Sequence, residues 1–383
     1  MASIEELKQL SILEVAESLG MQLHRTGSHT YAWQEHDSFT INTRDNYFNW
    51  FARSTGGDVI KMVQVVQEET SGQAISFKQA KHFLEDGSFD VVDVTAIPEK
   101  EPFHYYLEPY ETEFKEGREY LKDVRGLSDK TIDFFAEKGV LSQATKKTGD
   151  YFEPVLVFKS LDTQNEIIGA SLQGIRENLD LYERGRLKQI MRASDGLTGM
   201  HVDIGTPSRL IFAEAPIDLM SYYELKKDTL KDVRLVAMDG LKESTVSRHV
   251  AELLSEVGEL NGEVDQEKKS SFLADMARVT TFFEDGKHQD LITLAVDNDE
   301  AGHTFIERLT VKQIEVTLDL PPIAEGLEKM DWNDYLKNYK HPTVKNKEKA
   351  PDRSQELSNI GGELFNRNFS SLETEVSGIA LQP

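Results

Sequence analysis

Asp297 and Asp299 flank Asn298 at the point where an apolar run, Leu291-Ile292-Thr293-Leu294-Ala295-Val296, gives out. The run is short and partly β-branched, the pattern of a strand buried on both faces of a parallel sheet. Two carboxylates at i and i+2 beyond such a strand offer hard oxygen ligands to Mg²⁺, which keeps several waters and takes few protein carboxylates. The same spacing is also common in solvated turns, where aspartate bonds its own backbone. A further carboxylate, Glu214, ends a second apolar run, Arg209-Leu210-Ile211-Phe212-Ala213, and a helix is expected from Pro216. Asp218 lies one turn into that helix, either as a supporting acid or only as a helix-start residue favoured by the dipole. Val233 to Met238 is a third apolar run and closes on Asp239-Gly240. In open α/β sheets, ligands gather beyond the carboxyl ends of the strands. Glu214, Asp297 and Asp299 are therefore the candidate metal-binding and catalytic residues.

Cations gather elsewhere. Arg184, Arg186, Lys188 and Arg192 fall within nine residues, with no acid from 184 to 194. Together with Arg176 they are the candidate nucleic-acid-binding residues; the alternative is a solvated loop that balances neighbouring acids. Net charge is −24 and the sequence pI about 4.9. So acidic a chain is repelled by nucleic acid at long range, and affinity must come from a local patch or a bridging metal. The absence of cysteine rules out disulfides and thiolate metal sites. No apolar run reaches the length of a membrane span, and Met-Ala-Ser-Ile-Glu-Glu is no signal sequence. A cytoplasmic protein with no membrane partner is expected.

The elements that must position these residues follow from periodicity. Residues 4–20 read as one amphipathic helix stopped by Gly20, followed by short strands at 31–33, 38–41 and 47–51. Gly56-Gly57-Asp58 opens a helix carrying Val59, Ile60, Met62 and Val63, and a further helix spans 76–84. Trp33, Tyr47, Phe48 and Trp50 serve either as core or as platforms for single-stranded bases. Residues 111–141 read as a helical hairpin with Ser128 as N-cap and Gly139 as stop, and 151–175 as a β-hairpin. An exposed loop and one amphipathic helix are expected over 258–289, and a last strand over Ile314–Leu318. The domains expected are 1–87, a linker over 88–110, a helical and β-hairpin region over 111–205, a catalytic core over 206–340, and a flexible tail over 341–383 with a short helix near 360–365.

Strand-Glu214, strand-Gly240, strand-Asp297-x-Asp299 and then Asp331-Trp332-Asn333-Asp334-Tyr335-Leu336, in that order, resemble the toprim domain of primases, topoisomerases and related nucleases. The N-terminal layout resembles the zinc ribbon of DnaG-type primases: His36 stands at a ligand position, while Trp33, Trp50 and Arg53 stand where that family has cysteines. Arg125-Gly126-Leu127-Ser128 resembles a segment preceding toprim in primase-like proteins of bacterial mobile elements. The resemblance implies an α/β fold: a Rossmann-like parallel toprim core, a small α+β ribbon-like domain without zinc, and a helical and β-hairpin region between. It implies Mg²⁺ or Mn²⁺ held by Glu214, Asp297 and Asp299, with Glu214 a ligand or a general acid/base. The implied function is a DNA primase-type nucleotidyltransferase acting on single-stranded DNA and nucleotides, in replication or transfer of a mobile element. A helicase or a relaxase would be its partner. Two alternatives remain. A toprim nuclease lacks support because the chain has no G-x-x-x-x-G-K-S/T loop. A non-catalytic nucleic-acid adaptor is favoured by the lost zinc ligands and the acidic charge.

Overall fold

Ser3 and Ser11 each cap a helix, so the N-terminal amphipathic stretch is two helices, α1 (Ile4–Lys8) and α2 (Ile12–Ser18), and not one. Asn46 is the physical cause of the break. Its Oδ1 accepts from the Ile12 N–H at 2.9 Å, and its Nδ2 donates to the Lys8 and Leu10 carbonyls at 3.0 and 2.8 Å. Backbone groups that an interrupted helix would orphan are thereby satisfied. This computed structural model describes residues 2–50, 53, 55–92, 102–182, 184–260, 264, 266–279, 281–283, 288–324 and 326–340. The expected tail over 341–383 lies outside them, as does 93–101 of the expected linker.

Strands β1 (Leu23–Arg25), β2 (Thr30–Trp33), β3 (His36–Asn42), β4 (Tyr47–Trp50) and β5 (Thr55–Gly57) form an antiparallel meander in chain order. Helices α3 (Val59–Ser71) and α4 (Phe77–Asp86) join it; Asp58 starts α3 by accepting from the Ile60 and Lys61 N–H groups. Trp33, Phe39, Phe48 and Trp50 pack with Val59, Ile60, Met62 and Val63 in one core. Trp33 and Trp50 are each only 2% exposed, so neither offers a face to a base. Core packing is the correct reading for these rings, and of the four aromatics only Tyr47 is partly exposed. The ribbon-like ligand positions do converge. The His36 ring lies 4.6 Å from Trp33 and 5.2 Å from Trp50, and its Nε2 is 3.1 Å from Glu69. Arg53 stacks on Trp50 at 4.1 Å and also pairs with Glu69. Rings and an ion pair fill this corner.

Next come α5 (Glu116–Glu119), which runs into a π-helical turn over Tyr120–Val124, and α6 (Asp129–Glu137), capped by Ser128. A second antiparallel sheet follows in chain order: β6 (Leu141–Thr148), β7 (Tyr151–Leu161), β8 (Ile167–Gly174) and β9 (Lys188–Ile190). The hairpin expected over 151–175 is thus the middle of a four-stranded sheet, and β9 is its exposed edge.

The last sheet holds β10 (Met200–Ile204), β11 (Arg209–Ala213), β12 (Val233–Ala237), β13 (Ile292–Leu294) and β14 (Thr317–Leu318), in the order β10-β12-β11-β13-β14. Only β10 runs antiparallel to its neighbour. Around it lie α7 (Pro216–Lys226), α8 (Glu243–Glu256), α9 (Gln266–Lys269), α10 (Phe272–Val279), α11 (Glu300–Val311) and α12 (Trp332–Lys340). Alternation within the strands feeds two cores. Ile211, Ala213, Val233 and Leu235 face Ile132, Leu219, Trp332 and Leu336, while Leu210, Phe212, Ile292 and Leu294 face Val250, Leu253, Phe305 and Leu309. Each fully buried side chain of this size stabilises by about 1.5–3 kcal/mol. Residues Met1–Leu336 form one compact unit, which ends within α12.

Candidate active site

β11 and β13 pair in parallel with Phe212 opposite Leu294, and the Ala295 N–H donates to the Phe212 carbonyl at 2.7 Å. That register carries Glu214 alongside the turn Asp297-Asn298-Asp299. On the other side, the Gly240 N–H donates to the Glu214 carbonyl at 3.0 Å, fixing the chain as it leaves β11. Asp299 caps α11, its Oδ1 accepting from the Gly302 N–H at 2.8 Å. The helix can start this close only because residue 302 is glycine: a Cβ there would stand 2.1 Å from the Asp297 carbonyl oxygen. A two-way bridge between Asn298 and Met330 then lays Asp331 beside the turn.

Five carboxylates thus feel one another: Glu214, Asp218, Asp297, Asp299 and Asp331. Burial first, then the charge of Asp299, raises the Glu214 carboxyl above its ordinary range, with Asp331 adding and Lys188 opposing. The Asp218 and Asp297 carboxyls are both held well above the usual carboxylate range. Desolvation leads in each case, followed by Asp331 for Asp218, and by Asp218 and Glu214 for Asp297. Asp218 shows some surface but is walled in by protein, and it accepts from the Asn333 N–H at 3.2 Å. Asp297 Oδ1 is buried and has no hydrogen-bond partner. Among the described residues, no three His, Asp or Glu side chains converge closely enough, as they stand, to hold one ion. Like charges enclosed together raise one another's proton affinity. A hard divalent cation fits this donor set, since it would engage the orphaned oxygen and relieve the repulsion.

From the basic segment, Lys188, on the edge strand β9, is the residue whose charge is felt at the acids, acting on both Glu214 and Asp218. Arg186 turns the other way, onto the Tyr120 ring at 5.2 Å and the Ile175 carbonyl. Arg176 pairs with Glu116 at 2.9 Å, and Arg184 and Arg192 stand exposed in the flanking turns. Three residues carry more of this site than their sequence signal indicated. Asp331 and Asn333 sit in the quoted D-W-N-D segment, where a side chain's direction cannot be read from spacing. Arg125 lies 208 residues from Asn333 in sequence, yet its guanidinium donates to the Asn333 Oδ1 at 3.2 Å.

Residues 211–336 match the family model described as toprim-like. An uncharacterized protein of Bacillus anthracis, pXO2-78, is 28% identical over 345 residues, spanning 87% of this chain and 88% of its own. Among solved structures, the primase fragment of the bacteriophage T7 primase-helicase protein is 13% identical at a TM-score of 0.33, covering 78% of this chain and 88% of the fragment. The zinc-binding and RNA polymerase domains of the Aquifex aeolicus primase are 15% identical at 0.34, covering 88% and 83%. The stretch that matches the toprim-like model runs from within β11 into α12 and carries Glu214, Asp218, Asp297, Asp299 and Asp331.

Proposed function

We propose that this protein is a primase-type nucleotidyltransferase that extends primers on single-stranded DNA. The observation that carries the reading is the enclosed acid cluster at the carboxyl ends of β11 and β13, with an unpartnered Asp297 oxygen and Lys188 at its rim. Glu214, Asp297 and Asp299 would hold Mg²⁺ or Mn²⁺, with Asp218 and Asp331 behind them. When bound, the ion supplies Lewis-acid polarisation of a phosphoryl oxygen and steadies the charge that develops on it. The chain's own part is placement. Lys188 offers a point charge to a phosphate, and Glu214, where it is not itself a ligand, would serve as the general acid/base. Arg184 and Arg192, exposed beyond β9, would follow the template backbone, and Arg176 would join them on leaving Glu116.

The resemblance of the R-G-L-S segment to primase-like proteins of bacterial mobile elements supports a role in copying such an element. The adaptor reading has two observations in its favour: Asp299 already serves as a helix cap, and among the described residues no three acids stand close enough to hold one ion. One assay decides. The protein is incubated with Mg²⁺ or Mn²⁺, labelled nucleotides and single-stranded DNA. Labelled oligomers support the proposal, shortened DNA indicates a nuclease, and retarded but unaltered DNA indicates an adaptor.

A further inference from the structure

Asn333 is 2% exposed, and its backbone N–H, Nδ2 and Oδ1 all bond neighbours in other parts of the chain. Its backbone N–H donates to Asp218 Oδ1 at 3.2 Å, in the carboxylate cluster. Its Nδ2 donates to the Arg125 carbonyl at 2.7 Å and to Ser221 Oγ at 3.0 Å, while its Oδ1 accepts from the Arg125 guanidinium at 3.2 Å. Arg125 is in turn fixed against Tyr120: Nε donates to the phenol oxygen at 2.8 Å, and the guanidinium lies 5.3 Å from the ring centre. Arg186, from the basic segment, approaches the same ring at 5.2 Å. A continuous path therefore runs from the basic segment through Tyr120, Arg125 and Asn333 to Asp218.

We propose that Asn333 is a positioning residue: it ties the Arg125 guanidinium to the Asp218 carboxylate, so that the cationic and anionic sides of the site keep one register. Its backbone N–H holds Asp218, while its side chain, with two donors and one acceptor, holds the Arg125 carbonyl, Ser221 Oγ and the Arg125 guanidinium. Aspartate would lose both side-chain donors, to the Arg125 carbonyl and to Ser221. Alanine would leave the Arg125 carbonyl and guanidinium without these bonds, and the turn at 125–128 would be free to shift against α12. The functional part of the inference rests on the reading of the carboxylates as the reacting centre; the coupling itself does not.

The test is a double-variant cycle in the full chain. Thermal midpoints are measured for Arg125→Ala, Asp218→Asn and the pair, first with Asn333 present and then in an Asn333→Ala background. With Asn333, the two shifts should fail to add by about 2 °C or more; without it they should add. Additive shifts in both backgrounds overturn the proposal, because a residue that merely fills space lowers every midpoint alike. Should Asn333→Ala not fold, Asn333→Ser, which keeps a hydroxyl, takes its place in the cycle. Mn²⁺ titration supplies the second readout: Asn333→Ala should lose about tenfold in affinity, and Ser221→Ala, which removes one bond to the same side chain, should lose little. Equal affinities for wild type and Asn333→Ala overturn a positioning role. If the wild type takes up no Mn²⁺, the proposed function fails, while the midpoint cycle still decides whether Asn333 couples Arg125 to Asp218.

Discussion

Replacing Asp297 by asparagine should stabilise the metal-free protein, and do so more at neutral than at acid pH. In the folded chain the Asp297 carboxyl is pushed up to about 9, chiefly by burial and by the charges of Asp218 and Glu214. In the unfolded chain it ionises near 3.8. A group raised on folding contributes its stability below the unfolded value and loses it as pH climbs towards the folded one. At pH 7.5 the linkage cost is on the order of 5 kcal/mol, and at pH 5 about 2 kcal/mol. Residual hydration of this part-exposed turn reduces both, so a gain of about 2–3 kcal/mol is expected at pH 7.5, or about 5 °C in the midpoint. Scanning calorimetry of Asp297→Asn and wild type at both pH values, each with and without Mn²⁺, measures it. Wild type should gain from Mn²⁺ and the variant should not. A variant no more stable than wild type at pH 7.5, or equally stabilised at pH 5, refutes the argument that these acids are crowded.

Lys188→Ala should weaken single-strand binding and reduce the log–log salt slope by about 0.7, the value of one phosphate contact. Arg186→Ala should lower the thermal midpoint more than it lowers binding, since Arg186 lies on Tyr120; gel shift and calorimetry separate the two. Gly302→Ala should cost about 1–3 kcal/mol and reduce Mn²⁺ uptake, because the new Cβ collides with the Asp297 carbonyl; equal stability would show that the turn gives way freely. His201 and His249 are both enclosed and held below the ordinary imidazole range by burial, with their rings 5.0 Å apart. A base depressed on folding costs stability as pH falls below its unfolded value of 6.5, so His201→Gln should flatten the fall of the unfolding free energy, measured by urea titration, below that pH by up to about 1.4 kcal/mol per pH unit.

What the sequence makes legible here is whatever is periodic or local. The three inner strands announce themselves because both of their faces are buried, and the acids behind them stand at fixed offsets. The caps at Asp58 and Ser128 are equally local. The helix break at residues 9–11 is not, because it depends on Asn46 arriving from a hairpin more than thirty residues away. β9 and β10 are illegible for a related reason. β9 is three exposed residues with no alternation to read, and β10 has the composition of a connection until β12 lies beside it. Within the basic segment, charge could be counted but not direction. Lys188 and Arg186 are two residues apart in sequence, yet one reaches the acids and the other packs on an aromatic ring. Asp331 and Asn333 required the bridge at Met330, which no spacing encodes.

The corner built from Trp33, His36, Trp50, Arg53 and Glu69 changes what the first ninety residues depend on. A small domain closed by a metal is folded or unfolded according to the supply of its ion, and a chelator can dismantle it. One closed by rings answers to solvent instead. Its stability comes from apolar surface withdrawn from water, which carries a large heat capacity and fades on cooling. The vulnerability expected of this sheet and its helices is therefore thermal: low temperature and urea should loosen them, while oxidants that attack thiolate sites find no thiolate there.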